Sequence, residues 1–230
     1  MNDASPIHQS PPLTPRPLLV TDCDEVLLHM VVPFRDWRDE RHDIDFRLKG
    51  ASFAGALHRR KCGSQLGREE VWPLLDQFFT GEMHRQYPAP GAFDALARLA
   101  EHADIVVLSN VGDTIHALRV EQLRAHGLDC RLVTNRGEKG PALKRIVDEF
   151  APSVTVYTED LEIHHASAAE HVPDVWRLQM VIEPEIADAI AHAPHAHARI
   201  DQWAEAEHWI AARFTEARPA PATTDERIDA

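Results

Sequence analysis

Short apolar runs alternate with stretches of helical spacing along most of the chain, and this alternation restricts the fold more than any other feature. Leu18, Leu19 and Val20 form a first run, and Ile105, Val106, Val107 and Leu108 a second. Leu132 and Val133 form a third, Val154, Val156 and Tyr157 a fourth, and Val175, Trp176, Leu178, Met180 and Val181 a fifth. Apolar runs this short, bounded by turn residues, read as strands. The stretches 91–102, 113–126 and 138–150 carry apolar residues at three-and-four spacing, with Asp113 set to cap the second helix and Gly127 to stop it. Strands alternating with helices predict a parallel sheet covered on both faces, an α/β core of three layers in the Rossmann manner.

One interval breaks the rhythm. From Met30 to Tyr87 there is no convincing buried strand, only a helical stripe of Val71, Leu74, Leu75, Phe78 and Phe79. A connection that long is no ordinary βα loop, so residues 31–87 are expected to fold as a small helical cap over the end of the first strand. Open α/β sheets bind ligands at the carboxyl ends of their strands, so the cap would roof a site. The core then comprises 18–30 and 88–215. Residues 1–17, with five prolines, and 216–230 are poor in core-forming residues and are expected to be disordered tails.

Composition narrows the function. Apolar residues at 44% and charged residues at 27% suit an ordinary packed core. A formal charge of -13 repels a phosphate backbone, which argues against a nucleic-acid partner. No run approaches the roughly 18 apolar residues needed to span a bilayer, and the opening segment has no basic start followed by an apolar stretch. Cys23, Cys62 and Cys130 lack the spacing of a zinc site or disulfide framework. The expectation is a cytoplasmic protein; its oligomeric state is left open.

Chemistry-bearing residues gather at the predicted strand ends. The first strand runs into Asp22 and Asp24, and two carboxylates in one place call for a cation or a proton, unless they only decorate an acidic turn. The second strand delivers Ser109 and Asn110, fit either to donate to an anion or to cap the following helix. Lys139 stands at the start of a helix, where a positive charge opposes the macrodipole; an anion or plain solvation would explain it. The fourth strand ends in Glu159 and Asp160, a further acidic pair or a solvated loop.

That order, an Asp-x-Asp pair, then a hydroxyl, then a lysine, then an acidic pair some 20 residues on, resembles the haloacid dehalogenase-like (HAD) superfamily over residues 18–182. The resemblance implies a Rossmann-like parallel core with a cap inserted after the first motif. It also implies a Mg²⁺-dependent phosphatase acting on a small phosphorylated metabolite through an aspartyl phosphate. By residue, it makes Asp22 the nucleophile and Asp24 the acid/base. Ser109 and Lys139 would hold the phosphoryl group, with Asn110 beside them. Asp160, with Glu159 as helper, would hold Mg²⁺ together with Asp22 and the backbone carbonyl of Asp24.

Two positions depart from the family pattern: Glu25 and Val26 replace the usual Gly-Thr, adding a third carboxylate, and Glu159 stands where aspartate is common. The alternatives are therefore a HAD-fold dehalogenase or other hydrolase, and a catalytically silent HAD-like binding protein. Asp24 favours phosphate esters, since halide displacement needs no acid.

The stretch from Phe46 to Arg68 contains Arg47, Lys49, Arg59, Arg60, Lys61 and Arg68 and no acidic residue. Arg59, Arg60 and Lys61 are the candidates to grip an anionic substrate, against the alternative of a solvated face. The histidines at 164, 165, 192, 195 and 197 read as surface or packing residues. Ile200, Trp203, Trp209, Ile210 and Phe214 mark an amphipathic helix expected to pack on the sheet.

Overall fold

The computed structural model describes residues 15–41, 44–47 and 55–223. The tails expected over 1–14 and 224–230, and Lys49 of the basic stretch, fall outside the described residues, as does the Arg68 side chain.

Six strands form one parallel sheet: β1 (Leu18–Thr21), β6 (Asp104–Ser109), β7 (Arg131–Thr134), β8 (Thr155–Glu159), β9 (Trp176–Gln179) and β10 (Ala198–Arg199), in the order β10-β9-β8-β1-β6-β7. β1 lies at the centre, buried on both faces, with Leu19 facing one apolar cluster and Leu18 and Val20 the other. The first cluster is covered by α3 (Ala92–Ala100), α4 (His116–Ala125) and α8 (Trp203–Glu216); the second by α5 (Gly140–Phe150) and α6 (Glu162–His171). Five of the six strands match the apolar runs. β10, two residues long, carries no pattern a sequence reading can detect.

α8 packs as its stripe requires, burying Trp203, Ile210 and Phe214. The Trp203 indole N–H donates to the Val26 carbonyl at 2.8 Å, tying this helix to the loop after β1. Trp203→Phe keeps most of the apolar volume and leaves that carbonyl unpaired, so chemical denaturation should register a loss of about 1–3 kcal/mol.

The C-terminal tail begins later than the sequence suggested. After α8 the Trp176 indole donates to the Arg218 carbonyl at 2.9 Å, and the Ala220 amide donates to the Asp174 carbonyl at 2.9 Å with Ala220 buried. Hydrogen bonds between its backbone and the Trp176 indole and Asp174 carbonyl hold this proline-rich stretch. At the other end Pro17 and Arg16 already accept from Asp104 and Ser153, extending the sheet before β1.

The inserted segment is not purely helical. α1 (Val31–Arg41) leads to an antiparallel hairpin, β3 (Ile44–Phe46) with β4 (Leu57–Arg59), then to α2 (Arg68–Gln77), which continues through a π turn over 78–82 and a 3₁₀ turn over 83–85. The three-residue hairpin strands are only partly buried, too short and too mixed for a period-two signal. Phe34, Trp37, Leu57, Val71, Leu75, Phe78 and Phe79 make the cap's own apolar cluster, which Val111 and Ile115 of the core join. A two-stranded clasp, β2 (Leu28–His29) with β5 (Tyr87–Pro88), brings the two connections together, and His29 stacks on Tyr87 with ring centroids 4.5 Å apart.

Candidate active site

Parallel pairing of β1 with β8, with Thr21 opposite Thr158, sets the residues that follow side by side at the carboxyl edge of the sheet. Asp22, Glu159 and Asp160 each offer a carboxylate oxygen, and these lie within 4.8 Å of one another, all three residues buried. Lys139 reaches them from the start of α5. Its ammonium, 1% exposed, sits 2.6 Å from Asp22 Oδ1 and 2.7 Å from Glu159 Oε2. That approach depends on Gly140, where a Cβ would collide with the Ser167 carbonyl and hydroxyl oxygens of α6. The Tyr157 hydroxyl also donates to Glu159 Oε2, at 2.7 Å, and the Leu161 amide donates to Oε1 at 3.3 Å. Glu159 is thus engaged on both oxygens, chiefly as the partner of Lys139. Asp22 and Asp160 are the carboxylates left to face a ligand.

Asp24 points elsewhere. The Arg119 guanidinium, fully buried on α4, donates to both its oxygens at 2.9 and 3.0 Å; Gln86 Nε2 adds a bond of 2.7 Å, and the Ser109 hydroxyl stands at 3.4 Å. Arg119 also lies over the Phe79 ring of the cap, 5.3 Å from its centroid. Asp24 therefore meets both the core and the cap connection, and its side chain is outside the carboxylate cluster.

Charge is out of balance here. Asp22, Asp24, Glu159 and Asp160 face two cations, Lys139 and Arg119. Burial first, then the Glu159 charge, pushes the Asp22 carboxyl up to about 8. Burial and the same neighbour raise Asp160 well above the usual carboxylate range. Burial opposes the ionisation of Glu159, but the Lys139 and His164 charges and the hydrogen bonds from Asp160 and Lys139 together hold its carboxyl below the usual carboxylate range. An oxygen-only set with a surplus of two negative charges fits a hard divalent cation such as Mg²⁺.

Glu25 is not a third carboxylate of the site. At φ 61 it turns away, and its Oε1 accepts from the amides of Met30 and Val31 at 2.7 and 2.6 Å, capping the start of α1. The sequence-based reading missed this because the capped helix begins six residues downstream. Burial pushes the Glu25 carboxyl up to about 7, with the Glu183 charge adding to it. A carboxyl raised in the folded state binds a proton that the unfolded chain has lost, so stability is full below about 4.5 and falls as pH rises through about 7. In metal-free protein the unfolding free energy, read from denaturant melts, should therefore drop over this interval, by at most about 1.4 kcal/mol per pH unit for one group. Glu25→Gln, which keeps the cap, should flatten that part of the curve.

Asn110 gives its amide to the Gly137 carbonyl at 2.8 Å and to His164 Nε2 at 3.1 Å, and accepts from Asn135 at 2.8 Å. It fastens three strand-end loops together. His164 and His165 are buried in the first turn of α6, His165 donating to the Glu159 carbonyl at 3.0 Å. Arg59 and Arg60 lie in the cap hairpin and its turn, ion-paired with Glu70 and Asp39. Counting charge along 46–68 alone overlooked acidic partners supplied by α1 and α2. Arg119 was also missed, though one signal was available: Ile115, Arg119 and Leu123 share a helical face, and all three are buried.

No protein-family model matches the chain, and no curated protein matches it in sequence. Solved structures do. A haloacid dehalogenase-like protein of unknown function from Agrobacterium tumefaciens aligns at TM-score 0.60 and 18% identity, over 85% of this chain and 97% of its own. A HAD-hydrolase from Bacillus subtilis, solved with bound magnesium, aligns at 0.55 and 10% identity, over 86% and 100%. A predicted phosphoglycolate phosphatase from Haemophilus somnus aligns at 0.54 and 13% identity, over 84% and 96%. The chain has the haloacid dehalogenase-like fold.

Proposed function

We propose that this protein is a Mg²⁺-dependent phosphatase that hydrolyses a small phosphorylated metabolite of the cytoplasm through an aspartyl phosphate on Asp22. The observation that carries this reading is the surplus of buried carboxylate at the sheet edge, with Asp22 leading it. Asp22 and Asp160, with the Asp24 carbonyl, would hold the cation. The cation would screen the negative charge of the phosphoryl oxygens and of Asp22 itself. Asp22 attacks phosphorus, and Lys139, 2.6 Å from its carboxylate, fixes that side chain and offsets the charge. Ser109, buried beside Asp24, orients the phosphoryl group. Asp24 delivers a proton to the leaving oxygen and then takes one from water.

One observation favours a second reading. Asp24 is held by Arg119 and Gln86, and to reach a leaving group it must give up at least one of them. A bond whose leaving group needs no proton, such as carbon–halogen, would spare that exchange. A screen of phosphorylated metabolites and haloacids, with Mg²⁺ and with chelator, separates the two. Metal-dependent release of inorganic phosphate is the expected result; halide release alone would overturn the phosphatase reading.

A further inference from the structure

The cap holds a charged group that its own structure leaves uncompensated. Arg38, on the inner face of α1, is 1% exposed, and its Nε and Nη1 have no hydrogen-bond partner among the described residues. The Trp37 ring, with its centroid 4.9 Å away, takes the face of the guanidinium but accepts none of its in-plane N–H groups. Arg38 lines a cleft of about 360 Å³ with Lys61, Arg59 and the apolar side chains of Ile44, Leu66 and Leu74. The one carboxylate in that lining, Glu70, is already engaged by Arg59 and by the Gly67 amide.

Leaving a buried guanidinium without acceptors costs free energy that evolution can avoid by placing an apolar side chain there. Other buried arginines among the described residues have acceptors: Arg119 has Asp24, with its Nε alone unpartnered, and Arg177 has the carbonyls of Pro173, Val175 and His195. Arg38 differs in that its guanidinium, short of acceptors, borders a cleft with a second cation, Lys61, on its wall. We propose that this cleft binds a small oxyanion, a phosphate or carboxylate group, through Arg38 and Lys61, with any short apolar body lying against Ile44, Leu66 and Leu74. The site consists wholly of cap residues and does not depend on the phosphatase reading. Within the basic stretch Arg59 and Arg60 are ion-paired, and Lys61 is joined by an arginine from outside it, Arg38.

Melting of the full chain in the absence of divalent cation tests this, with inorganic phosphate and butyrate as probes and chloride at matched ionic strength as control. Both probes should raise the melting temperature of wild type and of Asp22→Asn equally. Phosphate stabilising alone would assign the site to phosphate, and butyrate alone to carboxylates. In Arg38→Met the apparent affinity should fall at least about tenfold, while the melting temperature without probe stays level or rises. Stabilisation that survives in Arg38→Met, or that vanishes in Asp22→Asn, overturns the proposal. Should Arg38→Met fail to fold, the wild-type Arg38 Nε–H resonance decides: it must move on titration with the probes, and a stationary signal overturns the site. No turnover is measured, so a failed result here leaves the catalytic reading untouched.

Discussion

Asp22→Asn should abolish turnover, lowering phosphate release by at least about 10⁴-fold, because no other group at the sheet edge can take over as the attacking oxygen. Glu159 is occupied by Lys139 and Tyr157, Asp24 by Arg119 and Gln86, and Asp160 would be taken up by the cation. Rapid quenching should trap an acyl phosphate in wild type and none in the variant. The fold should survive. Because the folded protein raises Asp22 from 3.8 to about 8, metal-free wild type loses stability as pH climbs from the lower value through the higher, and the variant escapes this loss. Asp22→Asn should therefore melt above wild type in alkaline, metal-free buffer. A variant that keeps roughly a tenth of wild-type activity would assign the nucleophile elsewhere.

Lys139→Met should cost both stability and activity. Removing one partner of a buried ion pair leaves the other as an unpaired charge, a loss of about 3–5 kcal/mol, and here two carboxylates lose the same ammonium. Denaturant melts should show that loss in metal-free buffer, with hydrolysis falling to background. Mg²⁺ should stabilise the variant more than wild type, since the cation then meets a larger excess of negative charge. An unchanged denaturation midpoint would mean that Lys139 does not balance the cluster.

The strand-end motifs were legible because β pairing converts sequence order into proximity. Residues one or two past the ends of β1, β6 and β8 must come out at the same edge once the apolar runs are paired in parallel. The Lys139 position was partly legible, since a lysine at a helix start calls for either an anion or solvation, and only the folded chain brings Asp22 and Glu159 to it. Cap details were less so. A hairpin of three-residue strands leaves no periodic trace, and the partners of Arg59 and Arg60 come from helices on either side of it. The roles of Glu25 and Arg119 depend on contacts to residues with no fixed sequence relation to the motifs.

The sequence by itself determined the layered parallel core, the order of the motif residues and the existence of an inserted unit after the first strand. Each follows from local periodicity and from the steric rule that parallel strands present their ends together. Only the tertiary structure decided which carboxylates share a site. Ion pairs and hydrogen bonds act over a few ångströms with no regard for separation along the chain, so Arg119 could claim Asp24 across 95 residues while Glu25, beside it, turned away to cap a helix.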